Sequence, residues 1–108
     1  MGFKEIRKAA ILALQEGAVQ AEERADLEEK NLLKTGVVTA EEVIDLLKKT
    51  RGNQYETSKH HQEASIDVHI CKPTVGAVAW YIKFYFIDPE CFFISVHRSG
   101  KMSKGVKR

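Results

Sequence analysis

Residues 65–97 read SIDVHICKPTVGAVAWYIKFYFIDPECFFISVH, and the period of this stretch decides the fold. Ile66, Val68 and Ile70 alternate with Asp67, His69 and Cys71, and a period of two is that of a half-buried strand. Lys72 to Gly76 carries Pro73 and Gly76 and predicts a loop. Ala77 to Ile87 predicts a second, long strand. Asp88-Pro89-Glu90 predicts a tight turn with Pro89 holding φ at its second position, and Cys91 to His97 predicts a third strand.

Side chains alternate between the two faces of a strand. The even positions are Ile66, Val68, Ile70, Val78, Trp80, Ile82, Phe84, Phe86, Phe92, Ile94 and Val96. All are apolar, so this face is expected to pack on helices. The odd positions mix titratable, aromatic and small groups. In an antiparallel meander Asp67, His69, Tyr81, Lys83, Tyr85 and His97 converge on one concave wall.

Upstream of the strands the period is helical. Phe3 to Glu16 predicts a helix with Ile6, Ala10, Ala13 and Leu14 near one face and Gly17 as its stop. Residues 18–34 predict a second, highly charged helix with a thin stripe of Ala18, Ala21, Ala25 and Leu32, closed by Gly36. Thr39-Ala40-Glu41-Glu42 is a capping box. It opens a third helix with Val43, Ile44 and Leu47 inward. Lys48, Lys49 and Arg51 suit the negative end of that helix's dipole before Gly52. Residues 53–64 are polar and predict a loop. The expected fold class is α+β, with three N-terminal helices packed on a three-stranded antiparallel sheet. One domain over residues 1–108 is expected, comprising a helical part (1–52), the sheet (65–97) and a basic tail (98–108).

Composition agrees with a soluble globular domain: 108 residues, 44% hydrophobic and 30% charged. No stretch approaches the ~18 apolar residues of a membrane span, so no membrane partner is expected. Ala9 to Leu14 is too short for a secretion signal, which predicts a cytoplasmic protein. Cys71 and Cys91 occur without a CxxC and read as reduced packing thiols. The four histidines lack the short paired spacing of zinc ligands, so no metal and no cofactor is expected.

The net charge of +2 hides an asymmetry. Residues 1–47 hold six Lys/Arg and ten Asp/Glu, a net of −4, whereas residues 48–108 hold eleven and five, a net of +6. The tail from Arg98 to Arg108 has five cations and no anion. A cationic surface attracts polyanions through salt-sensitive electrostatics; a charged tail is also an ordinary solvated terminus.

The odd wall suits phosphodiester chemistry. Cleaving RNA through its own 2′-hydroxyl needs a base near that oxygen, an acid for the leaving 5′-oxygen and a cation for the phosphorane charge. Imidazole fits either proton-transfer role, which nominates His97 and His69. Lys83 can hold the phosphate, and Tyr81 can donate a hydrogen bond or stack on a base. Asp67, Tyr85, Arg98, Lys59, His60 and His61 are candidates for holding the substrate. A solvent-facing strand surface also favours Tyr, Lys and His without any chemistry.

Taken in order, Ile66-Asp67-Val68-His69, Lys72-Pro73, Gly76, Trp80-Tyr81-Ile82-Lys83 and Ile94-Ser95-Val96-His97 resemble bacterial toxins of the RelE-like superfamily. The set looks most like the MqsR branch, with its Asp-Val-Tyr, Pro, Gly, Tyr-Leu-Lys progression. The resemblance spans residues 40–99 by motif and the N-terminal helices by layout. It implies a type II toxin, an mRNA endonuclease that needs no metal, is restrained by a cognate antitoxin and arrests translation. The implied partners are mRNA, the antitoxin protein and the ribosome. Tyr81 falls where that branch has its active-site tyrosine. Ile66 stands where the branch has glutamine, and His97 where it has a C-terminal lysine. Lys59 is the residue nearest to its earlier lysine. The alternative is a non-catalytic RNA- or protein-binding module of the same fold.

Overall fold

The structure, a computed structural model, describes residues 2–21, 31–60, 62–88 and 90–99. Helix α1 (Phe3–Glu16) buries Ile6, Ala10, Ala13 and Leu14, the stripe that its period predicts. Gly17 ends it at φ 74°, a left-handed conformation that glycine adopts without steric cost. Helix α3 (Ala40–Lys48) opens on the expected box: the Thr39 Oγ1 accepts from the Glu42 amide at 3.2 Å, and Glu42 Oε1 accepts from the Thr39 amide at 2.9 Å. It buries Val43, Leu46 and Leu47, with Ile44 half-buried against the same core.

The predicted second helix does not start where expected. Among the described residues of that stretch, 19–21 form strand β1 (Val19–Ala21) and Leu32–Thr35 forms the single helical turn α2. Residues 22–30, including Ala25 of the predicted stripe, lie outside the described residues. The remaining strands are β2 (Tyr55–Lys59), β3 (Asp67–Cys71), β4 (Thr74–Val75), β5 (Val78–Ile87) and β6 (Glu90–Arg98).

The expectation of a three-stranded antiparallel sheet is therefore wrong, although the class is α+β. Among the described residues the sheet has six strands and is mixed, in the order β1-β6-β5-β3-β2 with β4 pairing β5. Three omitted strands, β1, β2 and β4, account for the difference. β1 runs parallel to β6, pairing Val19 with Cys91 and Ala21 with Phe93, and Asn31 resumes the pairing at Val96. An apolar central strand with an open edge recruits nearby backbone to satisfy its amides and carbonyls, and this overrides the helical pattern. β2 lies in the predicted 53–64 loop. It is an edge strand whose side chains are mostly exposed, so it carries no apolar alternation to reveal it. In addition, Lys72–Gly76 is not all loop: Val75 pairs with Val78 around Gly76, which sits at φ 64°. Ile87 pairs with Glu90, as a tight turn requires; Pro89 itself lies outside the described residues.

Register assigns the faces. β3 pairs His69 with Phe84 and Cys71 with Ile82. β5 pairs Ile82 with Val96, then shifts register after Lys83 so that Phe84 meets Phe93 and Phe86 meets Cys91. The helices cover the face bearing Ile82, Phe84, Cys71, Cys91, Phe93 and Val96, which forms the main core with Ile6, Leu14, Val43 and Leu47. The opposite face carries a smaller cluster of Val68, Ile70, Tyr85 and Ile94, flanked by Ile66, Tyr81 and Phe92. The parity predicted from numbering thus holds within β5 and at Val96. It is inverted throughout β3 and in β6 before Ser95.

Candidate functional site

The wall away from the helices is built from β5 and β6. Tyr81 pairs with His97 and Lys83 with Ser95. The Tyr81 and His97 rings stack at 5.2 Å between centroids and 25° between planes. Both residues are half-buried. Lys83 follows two residues along the strand on the same face, roughly 7 Å away at the rise of an antiparallel strand.

His97 is oriented by the backbone. Its Nδ1 lies 3.1 Å from the Arg98 carbonyl oxygen. A carbonyl only accepts, so Nδ1 carries the hydrogen and donates it. In the neutral ring Nε2 is then left with a lone pair as the proton acceptor. A base, a phenol and an ammonium on one wall can accept a proton, donate one and balance anionic charge.

Other predicted members stand elsewhere. His69 points to the helix side, where Tyr55 Oη lies 2.8 Å from its Nδ1 and the rings of Phe84 and Phe86 lie within 5.7 Å. Burial holds this imidazole below its usual titration range, against the opposing pull of the Asp67 charge. Burial also pushes the Tyr55 phenol up. Asp67 shares the helix-side parity and is exposed at the sheet margin. It accepts from Lys59 Nζ at 2.8 Å, and this hydrogen bond, followed by the Lys59 charge, holds the carboxyl below its ordinary value. Lys59 is thereby committed to Asp67 rather than to the Tyr81 wall. Arg98 pairs with Trp80, one step out of phase with Tyr81 and His97, and its guanidinium lies 4.9 Å over the Trp80 ring.

Tyr85 and His60 are on the wall's side but serve packing. Tyr85 is buried and stacked on Phe92 at 5.3 Å. The His60 ring sits edge-on to Tyr85 at 4.8 Å, while its Nδ1 accepts from the Gln62 amide. His61 lies outside the described residues, as does the tail from Gly100 onward.

No family model and no curated protein matches this chain. Among the described residues, no three of His, Cys, Asp and Glu are grouped to hold a metal ion, and no helix is long and apolar enough to cross a membrane. Cys71 and Cys91 are free and buried. Burial pushes the Cys71 thiol up to about 12 and the Cys91 thiol up as well, which suits packing and not nucleophilic chemistry.

Sequence reasoning missed one feature of the wall. Ser95 is almost fully buried beside Lys83, because the shift in β6 returns residues 95–97 to the phase of β5. The unmatched Ile94 produces that shift, and nothing in its local sequence marks it as a bulge.

Proposed function

We propose that this chain is a metal-independent endoribonuclease of the type II toxin kind, acting on mRNA in the cytoplasm and restrained by a cognate antitoxin. The observation that carries the reading is the stacked Tyr81–His97 pair, with Nδ1 of His97 committed to a carbonyl and Lys83 beside it. His97 Nε2 takes the proton of a ribose 2′-hydroxyl. The 2′-oxygen attacks phosphorus, and the Lys83 ammonium balances the charge of the phosphorane. The bond from phosphorus to the 5′-oxygen then breaks, and the Tyr81 phenol protonates the departing oxygen. The products are a 2′,3′-cyclic phosphate and a free 5′-hydroxyl. Each proton transfer of this kind contributes roughly 10²–10⁴-fold.

The test is incubation of purified protein with single-stranded RNA in EDTA, read as RNA length. Shortening in the wild type and its loss in His97→Ala support the reading; intact RNA with wild-type protein rejects it. One observation favours the non-catalytic binding module instead. With His69 turned to the helix side and His60 packed edge-on against Tyr85, no second imidazole stands beside His97 among the described residues. That module retains salt-dependent RNA affinity and shows no turnover.

A further inference from the structure

A cleft of about 880 Å³ opens on the helix side of the sheet, between the start of α1, the end of α3 and the β4–β5 turn. Five cations line it: Lys4, Arg7, Lys48, Lys49 and Arg51. Among the described residues the lining contains no carboxylate and none of the five cations is paired with one. Lysines at the end of α3 have a local explanation, since cations stabilise the negative end of a helix. Arg51, two residues beyond the cap, shares it in weaker form, and Lys4 and Arg7 do not share it. Lys4 lies in the first turn of α1, the positive end, where a cation is unfavourable. Arg7 is held from behind: its Nη1 donates to the Thr50 carbonyl at 2.9 Å, and its guanidinium lies 4.9 Å over the Phe3 ring. Arg51 is exposed on the loop that follows Thr50. Five like charges in one cleft repel one another and Lys4 also opposes the α1 dipole, and a bound polyanion would offset both costs.

The cleft opens at the same end of the sheet as the Tyr81–His97 pair. Gln54 and Thr74 belong to its lining, and the Gln54 carbonyl accepts from the Lys72 amide at 2.8 Å. Thr74 pairs with Ala79, two residues before Tyr81. The Pro73 carbonyl accepts from the Trp80 amide, and the Ala79 carbonyl accepts from the Ser99 amide. These bonds tie the rim of the cleft to the strand ends that present Tyr81 and His97. We propose that this cleft seats the phosphates of a single-stranded RNA that wraps around the sheet end, so that a neighbouring nucleotide reaches the wall. The inference rests on the RNA-directed reading above and assigns the sequence-independent part of the binding to residues outside the wall.

Lys49→Glu and Arg51→Glu are the variants of choice, because both side chains are exposed. Fluorescence anisotropy with a short labelled single-stranded RNA, run across a salt series on the full chain, gives affinity and its salt slope. Each variant is expected to weaken binding about fivefold or more, and to lower the slope of log affinity on log salt by roughly 0.7 for each phosphate that the variant no longer neutralises. Lys8→Glu makes the same charge change at an exposed position of α1 outside the cleft lining and is expected to change affinity less than about twofold. Equal weakening by Lys8→Glu overturns the inference, because total charge then sets the affinity. Displacement of the RNA by inorganic phosphate at matched phosphate concentration also overturns it, because the cleft is then a seat for small anions. Cleft variants that bind as the wild type does, while the wild type still cleaves RNA, sink this inference and leave the nuclease reading standing. Cleft variants that bind weakly, with a wild type that never shortens RNA, do the reverse.

Discussion

The two faces of the sheet are made from the same strands and differ in what covers them. The helix side is sealed by α1 and α3, and its large side chains Phe84, Phe93, Ile82 and Leu47 are fully buried. The other side has a small apolar cluster spanning β3, β5 and β6 and a polar, aromatic wall of Tyr81, Lys83 and His97 toward the start of β5 and the end of β6. A histidine on each face shows what that difference does. His69 is enclosed by Tyr55, Phe84 and Phe86 and is pushed toward neutrality. His97 keeps one face on Tyr81 and one nitrogen on a carbonyl, and remains half-exposed. Chemistry on the first would require unpacking the core; chemistry on the second would not.

The largest test of this contrast is structural. Phe84→Ala empties the helix-side core and is expected to cost about 3–5 kcal/mol in chemical denaturation. Ile94→Ala, on the opposite face, is expected to cost roughly 2–4 kcal/mol. A negligible cost for Ile94→Ala would show that the outer cluster is not a core and that the wall has no firm base.

Next comes catalysis. His97→Ala and Tyr81→Phe are each expected to slow RNA cleavage by ~10²-fold or more, about 2.7 kcal/mol of barrier, with the denaturation midpoint nearly unchanged. His69→Gln is expected to do the opposite, lowering stability and leaving cleavage intact. If His69→Gln abolishes cleavage in a folded protein, the assignment of roles to faces fails.

A smaller effect lies in pH. Burial lowers the titration of His69 in the folded state, so the unfolded chain takes up that proton first. This contribution to stability is complete above about pH 6.5, the ordinary imidazole value. It is lost as pH falls from there through the folded-state value. His69→Gln should flatten that segment of the stability profile, and a wild-type profile with no slope there would contradict the enclosed site. Smallest of all is Asp67→Asn. This carboxylate is exposed and, among the described residues, is paired with Lys59, and ion pairs of that kind contribute little. Unchanged cleavage and a denaturation midpoint within repeat scatter are expected. A lost activity would return Asp67 to the site.

Several elements are legible in the sequence. The 3.6-residue stripe of α1, the Thr39–Glu42 box and the alternation in β5 are local signals, complete within a few residues. Tyr81, Lys83 and His97 share a wall, as alternation implies, because β5 and the end of β6 are in phase. β1 and β2 are illegible because they are strands only by virtue of their partners: three residues on the edge of β6, and a polar edge beside β3. The basic cleft is hidden by averaging charge along the chain. Lys4 and Arg7 belong to the acidic half of the sequence and meet Lys48, Lys49 and Arg51 only in three dimensions.

Periodicity alone determined that this chain pairs amphipathic helices with alternating strands, because backbone geometry sets which side chains of one element share a side. Which side of one strand matches which side of the next was decided by tertiary pairing. A single unmatched residue, Ile94, and the register of β3 against β5 reverse the match. The physical reason is that parity is conserved within a strand and is set anew by each connection, where the free energy of burying the larger apolar set selects the register.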